Sequence, residues 1–101
     1  MKHTVSLDIA NTHPAFAGHF PGQPLLPGVS LLAEALEAVM SEPSLRALVG
    51  DAPRIGSAKF LSPVRPGAHL SLQLDATERG VRFEIREADR LVASGNFEAK
   101  E

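Results

Sequence analysis

The sequence predicts an α+β domain, with an antiparallel sheet packed on one principal helix. Three observations carry this. Several stretches alternate apolar and polar residues with a period of two, the pattern of strands that bury one face. Residues 28–40 are almost wholly apolar and lack proline, which suits a buried helix. Between the first alternating stretch and that helix lies a segment rich in proline and glycine, which regular structure does not tolerate. The order strand, long loop, helix, then further strands belongs to the α+β class.

Each element follows in turn. Val5, Leu7 and Ile9 alternate with Thr4, Ser6 and Asp8 and predict the first strand. Residues 11–28, "NTHPAFAGHFPGQPLLPG", read as loop because four prolines interrupt them. A helix is expected from near Gly28 to about Met40. The following "SEPSLRALVG" supplies a new cap region, a proline suited to a first turn and Gly50 as a stop, so it predicts a separate helical section. "PRIGSAKFLSP" (53–63) can form a strand, although its alternation is weak. Leu70, Leu72 and Leu74 alternate cleanly with polar residues, as do Val81, Phe83 and Ile85. Leu91, Ala93 and Phe97 follow the same rule, with Gly95 on that face. "ERG" and "EADR" fit hairpin connections between these strands.

The principal helix has an unusual surface. Ser30, Glu34, Glu37 and Ser41 form one narrow polar stripe, and the remaining positions from Val29 to Met40 are Ala, Leu, Val or Met. A helix apolar around most of its circumference is expected to be largely buried, with the sheet curling around it. The polar stripe, Glu34 included, reads as the solvated side. Ala33 falls with Val29, Leu36 and Met40 on an apolar face.

Composition narrows the function. A chain of 101 residues reads as a single domain spanning 1–101, small enough that dimerisation would help complete its core. The absence of cysteine removes disulfides and thiolate chemistry. A net charge of −2 without a basic block argues against nucleic acid. The N-terminus alternates and so does not read as a signal peptide, and no run is long enough to span a membrane. A cytoplasmic enzyme or binding module is the default expectation. The four histidines show no ligand spacing, so neither metal nor cofactor is expected. His3 and His69 read as surface or edge residues, and His13 as a brace before Pro14.

His19 is different. It sits in "GHFPGQPLLPGV" (18–29), a stiff loop leading into the greasy helix. This stretch closely resembles the signature loop of the 3-hydroxyacyl-acyl-carrier-protein dehydratases of the FabZ/FabA type, which have the hot-dog fold. "AKFLSPVRPGAHLSLQL" (58–74) resembles that family's second recognisable block, an aromatic strand followed by a Pro-x-x-Pro-Gly turn. The short length is similar to the small dehydratases of polyketide and aryl-polyene pathways.

The resemblance implies elimination of water from a 3-hydroxyacyl thioester on acyl carrier protein, giving the trans-2-enoyl thioester. His19 would be the base, since imidazole can hold a proton or release it near neutrality. The Gly28 backbone N–H would polarise the thioester carbonyl, helped by the positive end of the helix. Phe20, Pro27, Val29, Ala33 and Phe60 would line the substrate site. The family places an acid fourteen positions after the histidine, where this chain has Ala33; Glu34, one place later, or water would then take the acid's role. The family also builds each site between two subunits, histidine from one and acid from the other. A homodimer is therefore expected, with a heterodimer as the variant in which a partner brings the acid. Arg54, Lys59 and Arg65 are candidates for docking the acidic carrier protein. Other readings left open are a catalytically inactive acyl-binding or carrier-binding module and a thioesterase.

Overall fold

The computed structural model describes residues 2–9 and 28–100. Five strands and two helices follow one another as β1 (Lys2–Asp8), α1 (Gly28–Ser41), α2 (Pro43–Val49), β2 (Ile55–Phe60), β3 (His69–Thr77), β4 (Gly80–Glu87) and β5 (Arg90–Glu98). The strands form a single sheet in the order β1-β3-β4-β5-β2, with every neighbouring pair antiparallel. The predicted α+β class and the order of elements are observed.

Register explains the clean alternations. Leu72 lies opposite Ile85, and Leu74 opposite Phe83. Ile85 in turn lies opposite Ala93, Phe83 opposite Gly95, and Val81 opposite Phe97. Side chains on one face of adjacent strands therefore meet, and this face is the core: all of these apolar side chains are buried. Phe83 and Phe97 stack with ring centroids 5.3 Å apart. Burial of each ring is worth roughly 1.5–3 kcal/mol. Gly95 makes that stacking possible. A Cβ there would come within 2.2 Å of the Ser57 carbonyl oxygen and 2.8 Å of the Phe83 ring.

Helix α1 contributes Leu31, Ala35 and Val39 to the core, and α2 contributes Leu45 and Val49. The predicted break between the helices is present. Pro43 occupies the first turn of α2, and Gly50, at φ 80°, ends it by donating its N–H to the Arg46 carbonyl.

The two hairpins form where expected. Thr77 pairs with Gly80 across Glu78-Arg79, and Glu87 pairs with Arg90 across Ala88-Asp89. The weak alternation of 55–60 also has a cause. β2 is an edge strand, its register with β5 slips between Ile55 and Ser57, and only Ala58 is even half-buried.

One expectation is corrected. Helix α1 is not buried around most of its circumference. The buried residues fall four apart and define one stripe, whereas Val29 is 73% exposed and Ala33 is exposed as well. A single sheet covers one side of a helix, and the turn carrying Val29 and Ala33 points away from it.

Candidate active site

Gly28 is the first residue of α1 and lies against Phe60, the last residue of β2. Its missing side chain matters, because a Cβ at Gly28 would sit 3.0 Å from the Phe60 ring. Phe60 is opposite Ala93, which places its side chain on the core face of the sheet beneath the helix start. The first-turn N–H groups of a helix have no intrahelical acceptor and carry partial positive charge. No carboxylate of the first turn neutralises them.

The surface around this point is apolar and open. Val29 is 73% exposed, Phe60 47% and Leu61 55%. Ala33 stands one turn beyond Val29 on the same face, also exposed. Four of the predicted positions, Gly28, Val29, Ala33 and Phe60, therefore belong to one region. His19, Phe20 and Pro27 lie outside the described residues, as does His13.

Glu34 belongs elsewhere. One residue turns a helix by about 100°. That rotation carries Glu34 from the Val29–Ala33 face to the side facing β1. There it lines a groove of about 640 Å3 with Glu37, Ala38 and Ser41 on the helix and His3, Val5 and Leu7 on the strand. Glu34 is half-buried, which corrects its reading as part of a solvated stripe. β1 and β2 are the two opposite edges of the sheet. Gly28 packs against the β2 edge of the sheet, and Glu34 lines a groove against the β1 edge.

The remaining candidates are accounted for individually. His3 lies on an edge strand as expected, but it is not simply a surface residue: its Nε2 is enclosed and lacks a hydrogen-bond partner. His69 is exposed, with Nδ1 2.8 Å from Asp8 Oδ1 across the β1–β3 pair. Arg54, Lys59 and Arg65 are all exposed. Among the described residues no cluster of His, Asp and Glu could hold a metal ion. No described helix is long and apolar enough to cross a membrane. Sequence reasoning missed Leu61 as part of the open apolar surface. Its signal was the Phe60-Leu61 doublet, which breaks the alternation of a one-sided strand.

A helix start beside an apolar surface at a sheet edge is an arrangement that can hold the oxygen of an acyl group and accept its chain alongside. With its antiparallel five-stranded sheet and one principal helix, the fold is of the hot-dog class. Comparison with known proteins gives the family. Residues 1–96 match the model of the ApeI-like family, described as ApeI dehydratase, and the chain belongs to that family.

Among solved structures, it superposes on the dehydratase heterocomplex ApeI:P from Xenorhabdus doucetiae with a TM-score of 0.78 and 26% identity, covering 99% of this chain and 88% of the other. Among curated proteins, it is 35% identical to the 3-hydroxyacyl-[acyl-carrier-protein] dehydratase FabZ of Symbiobacterium thermophilum, over 73% of this chain and 56% of that protein. It is 30% identical to the FabZ of Aliarcobacter butzleri, over 91% of this chain and 72% of that protein. The chain thus spans little more than half the length of the first of these relatives.

Proposed function

We propose that the chain is a subunit of a cytoplasmic dehydratase that converts 3-hydroxyacyl thioesters on acyl carrier protein to trans-2-enoyl thioesters. The observation that carries this reading is the start of α1 at Gly28, set against Phe60 in an open apolar surface. Membership of the ApeI-like dehydratase family supports it.

In this reaction His19 takes the proton from the carbon beside the thioester carbonyl. Charge gathers on the carbonyl oxygen, where the Gly28 N–H holds it. The electron pair then closes the carbon–carbon double bond as hydroxide departs from the next carbon. The hydroxide takes up a proton from an acid and leaves as water. Neither metal nor redox cofactor enters this scheme.

The acid is the part this chain does not supply at the expected place. Ala33 occupies the open face, and Glu34 points into the β1 groove. That placement favours a site whose acid comes from another subunit over one in which Glu34 is merely displaced. A heterodimer, with His19 from this chain and a carboxylate from a second hot-dog subunit, is the form this takes. A homodimer using ordered water would be slower. The relative from Xenorhabdus doucetiae is itself described as a heterocomplex.

The test is turnover of a 3-hydroxyacyl carrier protein by the pure chain, alone and with an acid-bearing hot-dog subunit. His19→Ala should lower the rate by about 10² to 10⁴ in whichever assembly is active. Full activity in His19→Ala defeats the reading. If no assembly turns over but acylated carrier protein still binds, the chain is a binding module instead.

A further inference from the structure

A cleft of about 800 Å3, lined by none of the residues around Gly28, lies where segment 98–100 crosses the end of the sheet. Three backbone hydrogen bonds build it. Glu98 N–H donates to the Arg54 carbonyl at 2.8 Å, Ala99 N–H to the Arg79 carbonyl at 2.8 Å, and Lys100 N–H to the Leu48 carbonyl at 3.0 Å. The segment 98–100 thereby ties together the start of β2, the β3–β4 hairpin and the end of α2. Arg54, Arg79 and Lys100 are brought to one cleft from three parts of the sequence.

The cleft is lined by three cations and two carboxylates, an excess of one positive charge, with Glu98 left without an ion-pair partner among the described residues. None of these three cations has a carboxylate partner among the described residues. The carboxylates lining the cleft are Asp51 and Glu98. Asp51 is already held by Arg46, whose Nε and terminal nitrogen both donate to it. Asn96 adds a neutral donor. The Ser57 hydroxyl donates to Asn96 Oδ1 at 3.0 Å, which leaves the amide Nδ2–H groups to donate elsewhere. Gly56 keeps this wall open, since a Cβ there would strike the Asn96 amide at 2.7 Å. Two guanidinium groups, an ammonium and an amide donor around one hollow match the multiple acceptor oxygens of a phosphate.

We infer that this cleft binds a phosphate ester at a place distinct from Gly28 and Phe60; its nucleotide form stands apart from the dehydratase reading, and its carrier-arm form rests on that reading. The phosphate belongs either to a free nucleotide or to the phosphorylated thioester arm of a carrier protein. Both present anionic phosphate oxygens to Arg54 and Arg79, as a doubly charged monoester in the nucleotide and as a singly charged diester in the carrier-bound arm.

The experiment is an amide NMR titration of the whole 15N-labelled chain at fixed ionic strength, with three probes: inorganic pyrophosphate, adenosine 3′,5′-bisphosphate and free 4′-phosphopantetheine. Saturable shifts are expected at Gly50, Gly56, Lys100 and the Asn96 side-chain amide, with the rest of the spectrum unmoved. Tightest binding of the bisphosphate names a nucleotide as the source, and tightest binding of phosphopantetheine names the thioester arm. Arg54→Gln combined with Arg79→Gln should weaken the best probe by at least about tenfold. Both side chains are exposed, so the fold should persist and the spectrum will show whether it has. The proposal is overturned if no probe gives a saturable shift at the cleft, or if binding survives the double substitution. A further titration with a carrier protein stripped of its phosphorylated arm overturns the proposal if that protein alone perturbs these residues, since the cleft would then recognise an acidic protein surface.

Discussion

On α1, a one-residue offset separates two faces with opposite consequences. Ala33 shares the exposed face of Val29, and Glu34 lines the groove against β1. If the position facing the acyl site is vacant, Ala33→Glu should place a carboxylate there and raise dehydration by the chain on its own by at least about tenfold. Glu34→Ala should then change the rate less than about twofold while altering stability modestly, because its side chain is half-buried. Both are read in the same turnover assay with the pure chain. The opposite pattern, activity lost in Glu34→Ala and no gain in Ala33→Glu, would make Glu34 the acid. Since Ala33 is exposed in the single chain, the added carboxylate has room. Its desolvation cost arises only if a partner subunit covers it.

At the scale of elements, the β4–β5 hairpin holds a correctable flaw. Ala88 has φ 53°, the left-handed region that a side chain with a Cβ occupies at a cost of roughly 1–2 kcal/mol. The two-residue connection forces it, because Glu87 and Arg90 are paired on either side and their side chains also form an ion pair. Asparagine tolerates this conformation better and lacks the extra unfolded-state freedom of glycine. Ala88→Asn should therefore raise stability by up to about 1 kcal/mol. A higher urea midpoint at unchanged slope is the expected measurement, and a lower midpoint would show the turn to be unstrained.

The same scale shows what could be read from residue order. β3 and β4 were legible because each buries one face only, so Leu70–Leu72–Leu74 and Val81–Phe83–Ile85 print the period directly. β2 was faint because it is a bulged edge strand whose small residues Gly56 and Ala58 carry little pattern. The burial of α1 was misjudged because an apolar helix face has the same composition whether it meets its own sheet or lies open. Gly28 and Phe60 fall in two separate motif blocks, and their contact became visible only in the fold. Nothing in the local pattern around His3 could show that its Nε2 is enclosed. The gathering of Arg54, Arg79 and Lys100 was equally hidden, since it depends on where the final segment crosses the sheet end.

At the scale of the whole molecule, all of the large exposed apolar side chains among the described residues except Val5 lie on or beside β2 and the start of α1. Ile55, Phe60 and Leu61 lie on or just beyond β2, and Val29 stands beside the helix start that Phe60 supports. β2 is also an unpaired edge without proline, and Lys59 is its sole charged residue. An edge of this kind, bearing free backbone donors and acceptors beside large apolar side chains, favours pairing with another strand. In the absence of a second hot-dog subunit, the same edge would pair β2 of one copy with β2 of another, extending the sheet beside Val29 and Ala33. That would bring a partner's side chains to the face where Ala33 leaves room. Sedimentation of the pure chain at micromolar concentration should give twice the chain mass. Ile55→Lys together with Leu61→Lys removes two apolar contacts, each worth roughly 1.5–3 kcal/mol when buried. The double variant should therefore dimerise at least about a hundredfold more weakly while keeping its fold, because both side chains are more than half exposed in the single chain, 51% and 55%. A wild-type chain that sediments as a folded monomer, yet turns over substrate, would show that the site is complete within one subunit. A double variant that dimerises as tightly as the wild type would move the interface away from β2.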